Sequence, residues 1–151
     1  MFPLTAIDAK LSSEAPVSIS GSYLPATNAI DGDTGTLIAS GLEPNAWVSV
    51  RLEHSSSVAY VAVHNRDDGA AYQAWLSPFE VFIGNSFGDL ASPCSTEPIA
   101  VATGTGPYMV DCRRTVRGAY VTLRLAGPRT GARYLTIAEL SAFAKDAEPP
   151  Q

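Results

Sequence analysis

The run WVSVRLE, Trp47 to Glu53, places Val48, Val50 and Leu52 at alternate positions against Trp47, Ser49 and Arg51. AYVTLRL repeats the pattern further along, with Val121, Leu123 and Leu125 against Tyr120, Thr122 and Arg124. A period of two marks a strand with one face in a core and the other toward solvent. It constrains this chain more than any other feature, because almost nothing in the sequence competes with it. VAYVAVHN, FEVFIG, IAVAT and YLTIAELSAF are further strand candidates, and the turn-forming stretches DGDTG, DDG, TGTGP and GPRTG separate them. TIAELSAFAK is the one run compatible with a helix, but its β-branched opening and the acidic, Pro-rich stretch after it favour a last strand. About eight short strands joined by long loops predict an all-β fold, an antiparallel sandwich or jelly roll.

At 151 residues the chain suits one domain with a sizeable core. That domain is assigned to residues 1–145, and the polar, Pro-rich end at 146–151 reads as a linker or tail. The net charge of -5 argues against a nucleic-acid partner, since phosphate recognition needs a basic face. No apolar run approaches the roughly 20 residues of a membrane helix, so membrane insertion is not expected. MFPLTAIDAK has neither the basic start nor the apolar segment of a signal peptide.

Chemistry for catalysis is sparse. His54 and His64 are isolated from other metal-ligating residues. Neither a phosphate-binding Walker loop nor a dinucleotide fingerprint is present. Asp67 and Asp68 are adjacent, and neighbours in an extended chain point apart, so they make a poor acid–base pair. A non-enzymatic role is expected. Cys94 lies in the polar loop GDLASPCSTEP and Cys112 ends the strand-like YMVDC. That setting favours a disulfide, and an oxidising compartment, over two free thiols.

Two stretches carry binding chemistry. ATNAIDGDTGTLIAS, Ala26 to Ser40, packs Asn28, Asp31, Asp33, Thr34, Thr36 and Ser40 into a turn-rich segment. Ca²⁺ takes roughly six to eight such oxygens. The spacing is not that of an EF-hand, because Gly35 occupies an oxygen position and no Glu stands at the twelfth place. The competing reading is an Asx-rich turn network. The second stretch, VHNRDDGAAYQAWLSPFEVFIG, collects Arg66, Asp68, Tyr72, Gln73 and Trp75 between two strand-like ends. An aromatic plate beside amide, carboxylate and guanidinium groups is the equipment of sugar recognition.

Taken in order, ATNAIDGDTGT, WVSVRL, the NRDD loop, FEVFIG, the cysteine pair, GAYVTLRL and LTIAELSAF resemble the F-type lectins, or fucolectins, of the discoidin (coagulation-factor C-type) group. The resemblance runs from Ala26 to Phe143 and implies an eight-stranded, galactose-binding-like jelly roll with a structural Ca²⁺. By that resemblance Asp31 and Glu139 would offer carboxylates, and Asn28, Asp33 and Ala138 backbone carbonyls. Ser40 or Thr36 would offer a hydroxyl. The family's cysteine at Ala138 and its partner near Ser40 are both missing, while Cys94 and Cys112 match the family's hairpin disulfide.

Fucose-binding members carry a histidine, an arginine-x-aspartate and a second basic residue. Here Arg66 and Asp68 stand in place, but the second basic position falls on Gln73, or on Trp75 if the loop is longer. The histidine position falls near Ala39, and no histidine occurs from Met1 to Glu53. Trp47 is expected in the core, and His64 as a packing residue at a strand end. The expectation is a non-catalytic, Ca²⁺-stabilised, lectin-like carbohydrate-binding module with an altered site, in a larger extracellular or cell-surface protein. Its partner would be a glycan or another cell-surface ligand. The alternative is an adhesion or scaffolding domain that binds a protein or lipid headgroup, with Tyr23-Leu24-Pro25 and Leu37-Ile38 as candidate apolar spikes.

Overall fold

The computed structural model describes residues 1–14, 24–101, 103–127 and 133–146. The expected linker beyond Asp146, most of the GPRTG turn and Tyr23 of the first apolar spike lie outside the described residues.

The fold is an antiparallel β-sandwich. Its described strands are β1 (Phe2–Leu4), β2 (Ala6–Leu11), β3 (Ile38–Ala39), β4 (Trp47–His64), β5 (Phe79–Gly84), β6 (Ser92–Pro93), β7 (Tyr108–Leu125), β8 (Thr136–Ile137) and β9 (Glu139–Ala144). Seven of them form one hydrogen-bonded sheet, in the order β1-β9-β4-β7-β5-β6 with β2 added against β4, and β3 pairs with β8. The expected division into eight short strands differs in detail. WVSVRLE and VAYVAVHN are two halves of the single 18-residue β4, and YMVDC and AYVTLRL are joined in the 18-residue β7. The described residues of IAVAT form no strand; Ile99 makes an isolated bridge to Phe79. TIAELSAF is strand, as expected, divided into β8 and β9.

β4 and β7 pair along almost their whole length, with breaks of register between Arg51 and Ser56 and between Val58 and Tyr60. The first half of β4 also pairs with β2, and the second half with β9. β5 joins the far half of β7. The two long strands therefore serve both layers of the sandwich, and the register breaks are where they bend.

The alternating valines and leucines meet in the core as the sequence requires: Val48, Val50, Leu52, Val121, Leu123 and Leu125 are all buried, as are Leu76, Phe79, Ile83, Leu135, Ile137 and Leu140. The opposite face departs from the simple pattern. Ser49 and Thr122 face each other across the ladder, fully buried, and the Thr122 hydroxyl donates to Ser49 Oγ at 2.8 Å. Two small hydroxyl residues can be buried there because each satisfies the other.

Trp47 is a correction to the expected core. It is half-buried at the start of β4, with its ring against the loop at Gly88, where a Cβ would come within 2.6 Å of Cζ2. Gly88 also has φ 77°, so the position requires glycine on both counts. His64 ends β4 half-buried, and its carbonyl accepts from Ala138 N at 2.8 Å. Cys94 and Cys112 form a disulfide with a Cα–Cα distance of 4.4 Å and a sequence separation of 18. Closing a loop of that length stabilises the fold by about 3 kcal/mol. Replacing both cysteines by serine should lower the urea midpoint by a corresponding amount, and thiol titration of the unreduced, denatured wild type should find no free thiol.

Candidate functional site

One end of the sandwich gathers both sequence stretches. β4 leaves the sheet at His64, where it pairs with Glu139 of β9, and runs into the loop that carries Arg66. Thus the acidic turn and the polar loop share an edge because β9 lies beside β4.

The polar loop is folded on itself by its own amides. Asn65 is buried; its Nδ2 donates to Gln73 O at 2.9 Å, and its Oδ1 accepts from Arg66 N at 2.9 Å. Gln73 is buried as well, and its Nε2 donates to Arg66 O at 3.0 Å. These bonds pull the chain into helix α1 (Ala70–Gln73), followed by a 3₁₀ turn at Ala74–Leu76. Gly69, with φ 138°, makes the turn into α1. The sequence reading expected no helix here, and it expected Gln73 to face a ligand. Gln73 instead braces the loop from within.

Around that brace the other expected residues come together. Arg66 donates from Nε and Nη2 to the two carboxylate oxygens of Asp68, a bidentate fork. The hydrogen bond from Arg66 holds the Asp68 carboxyl below the usual aspartate range, against the opposing effect of burial. The guanidinium carbon lies 4.6 Å from the Tyr72 ring centroid and 5.9 Å from that of Trp75. Tyr72 and Trp75 meet edge to face at 5.2 Å, and Trp75 in turn touches Tyr134 at 5.4 Å. The Arg66 side chain is only 13% exposed while that of Asp68 is 46% exposed, so the cation sits within an aromatic frame and its carboxylate faces outward. With two of its five N–H donors on Asp68, Arg66 keeps three for another acceptor.

Arg133 and Tyr134 were not anticipated. Arg133 is buried and donates to three carbonyls, from Nε to Trp75 O, Nη1 to Ala126 O and Nη2 to Pro78 O, at 2.7–2.8 Å. Burial lowers its pKa. It fixes the backbone under Trp75 from a distant segment, and no local pattern in RYLTIAEL announces that contact.

At the acidic turn, Asp31 and Glu139 are in hydrogen-bonding contact. Glu139 is buried, and burial first, then Asp31's hydrogen bond and charge, push its carboxyl up to about 8. Asp31 is lowered: burial opposes the shift, and hydrogen bonds with Glu139 and Thr36 outweigh it. Gly32 N donates to Glu139 Oε1 at 3.0 Å, and Thr36 Oγ1 donates to Asp31 Oδ2 at 2.6 Å. Asp33 turns its carboxylate back on the loop, accepting from Gly35 N at 2.7 Å. Its carbonyl accepts from Thr36 Oγ1 at 3.0 Å. Asn28 Nδ2 donates to Leu37 O, and Ala138 N to His64 O. Ser40 is fully buried, with its hydroxyl donating to Gly41 O and accepting from Leu135 N, so of the two candidate hydroxyls Thr36 is the one that meets Asp31.

The donor chemistry fits a hard cation: two carboxylates in contact must share a proton or a cation, and the rest of the set is oxygen. Among the described residues no three His, Cys, Asp or Glu side chains form a metal cluster. Further ligands would therefore be carbonyl or hydroxyl oxygens.

The Leu37-Ile38 stretch resolves differently from the expectation. Ile38 is fully buried, which removes the Leu37-Ile38 spike expected of a membrane or protein binder. GNSFG, Gly84 to Gly88, has the spacing of a serine nucleophile elbow, but it follows β5 into an Asp89-capped turn. No helix follows it, as such an elbow requires. The buried amide brace carries its own prediction: Asn65→Ala should cost about 1–3 kcal/mol in urea unfolding, since it strands Gln73 O and Arg66 N.

No curated protein sequence matches the chain. The lectin domain of lectinolysin, solved with Lewis B antigen, is 26% identical with TM-score 0.71, covering 92% of this chain and 93% of that one. A fucolectin from striped bass (Morone saxatilis) serum is 22% identical with TM-score 0.74, covering 95% of this chain and 49% of that one. The family 32 carbohydrate-binding module of C. perfringens NanJ, in complex with galactose, is 18% identical with TM-score 0.70, covering 93% and 98%. A family model described as the NedA-like, galactose-binding domain of the F5/F8 type C group matches residues 28–123. That match covers well over half of the chain, and the protein belongs to the NedA-like galactose-binding domain family.

Proposed function

We propose that the chain is a non-catalytic carbohydrate-binding module that binds a glycan on the Arg66–Trp75 loop and is stabilised by one Ca²⁺ beneath it. The observation that carries the reading is the Arg66 cation, forked by Asp68 and framed by Tyr72 and Trp75, with three N–H donors left. Those donors suit vicinal hydroxyls, and the half-exposed aromatic edges suit a sugar's C–H face. An extracellular or cell-surface setting accords with the disulfide, and no helix among the described residues is long and apolar enough to cross a membrane. A glycan is favoured over a protein or lipid headgroup because the polar frame is built and the Ile38 spike is not exposed.

The site differs from that of fucose-binding relatives. Ala39 and Gln73 stand where the family's other two cationic positions fall, both buried, and Arg133 is committed to three carbonyls. Each absent charge-assisted hydrogen bond removes roughly 1.5–3 kcal/mol, which is about one to two powers of ten in affinity. Calorimetric titration with free L-fucose should give millimolar binding or none. For a glycan selected on an array, Arg66→Ala and Trp75→Ala should each weaken binding at least about tenfold with the far-ultraviolet spectrum unchanged. Tight fucose binding, or glycan binding indifferent to both substitutions, would refute the site.

For the metal, Asp31 and Glu139 would supply the carboxylates, Thr36 a hydroxyl, and Asn28, Asp33 and Ala138 carbonyls. A bound Ca²⁺ would neutralise the carboxylate pair and tie the acidic turn to β9. At a hundredfold excess over its dissociation constant a ligand adds about 2.7 kcal/mol to stability. EDTA should therefore lower the melting temperature of the wild type, and Glu139→Ala should abolish the difference. An unchanged melting curve with no metal in elemental analysis would refute this part alone.

A further inference from the structure

A second concave surface lies elsewhere on the sandwich. Where β4 advances from Val58 to Tyr60, its partner β7 passes from Val116 to Asp111. The surplus residues of β7 bulge, and a bulge breaks the alternation of side chains. In a regular strand Arg113 and Arg114 would face opposite sides. Here both line one groove of about 640 Å³, together with Arg117, Ser92, Ser95 and Thr96. The Cys94–Cys112 disulfide ties its two walls, since Cys94 follows Pro93 on one side and Cys112 precedes Arg113 on the other.

The charge placement is uneven. Ten Lys and Arg serve a chain of net charge -5, and three of them fall between positions 113 and 117. Arg117 is anchored to the bend of β4, donating to Ser55 O at 3.3 Å and Ser57 Oγ at 3.5 Å. Arg113 and Arg114 are exposed, and among the described residues they make no ion pair and no side-chain hydrogen bond. Among the described residues no carboxylate lines the groove; Asp111 and Glu97 flank it in sequence and are both exposed. The bulge lies several residues back along β4 from Val63, which pairs with Tyr108 at the end carrying the Arg66 loop. At about 3.3 Å per residue this separates the two surfaces by roughly 15 Å.

We propose that this groove is a second binding site, for an acidic glycan bearing sulfate or carboxylate groups. Arg113 and Arg114 fork to the anions, the Ser92, Ser95 and Thr96 hydroxyls hydrogen-bond the sugar, and Pro93 and Val116 meet its C–H face. Nucleic acid fits less well, because among the described residues no aromatic side chain lines the groove for base stacking and the overall charge repels a long polyanion. A membrane fits less well, because among the described residues no large exposed apolar side chain lines the groove.

The test titrates the whole chain with a size-defined, heparin-derived hexasaccharide and with its desulfated, carboxyl-reduced counterpart, at about 50 and 200 mM salt. The charged probe should bind and the neutral one should not. Arg113→Ala/Arg114→Ala should weaken binding at least about tenfold and reduce the slope of log K against log salt by between one and two. Arg113→Lys/Arg114→Lys should retain most of the affinity, and Arg66→Ala should leave it unchanged. Melting temperatures check that each variant is folded. No binding at the lower salt, binding indifferent to the double alanine variant, or equal binding of single-stranded DNA or anionic vesicles would overturn the proposal.

Discussion

Everything of functional interest in this protein hangs on the pairing of β4 with β7. Two strands of 18 residues run antiparallel through the middle of the sheet, and the other strands of that sheet attach to one of them or to a strand already attached. A regular ladder of that length could serve only one layer. The register breaks let it bend, so that the first half of β4 takes β2 and the second half takes β9. Bending has consequences at both places where β7 and β4 lose step with each other. At one of them the surplus residues of β7 bring Arg113 and Arg114 into the lining of one groove.

At the end of β4 a small polar loop is braced by its own amides. Each amide of the loop has a partner inside the loop: Asn65 holds Gln73 and Arg66, and Gln73 holds Arg66 again. Arg133 then fastens the following turn by three carbonyls. Polar residues that look like ligand contacts in a list are thus divided between two tasks. The inner ones satisfy backbone groups that would otherwise be buried without partners, and the outer ones, Arg66, Asp68, Tyr72 and Trp75, keep donors and ring edges toward solvent. The same end contains a strained electrostatic feature, since Glu139 is buried against Asp31 and is pushed up to about 8. A proton shared between the two carboxyls satisfies that pair.

By itself the sequence determined the all-β class, the core faces of β4 and β7 and the last strand. It also located the loop and the acidic turn. The reason is that these are local properties: a period of two survives wherever a strand has one buried face, and turn residues mark their own positions. The tertiary structure decided which polar side chains look inward. Gln73 braces, Ile38 packs in the core, Trp47 covers Gly88 at an edge, and Ser49 meets Thr122 in a buried pair, none of which alternation or composition can distinguish from its opposite. It alone brought Arg133 under Trp75 and turned Arg113 and Arg114 to one groove. The groove depends on where β4 and β7 fall out of register, and register is set by the packing of the whole sandwich rather than by any one stretch of chain.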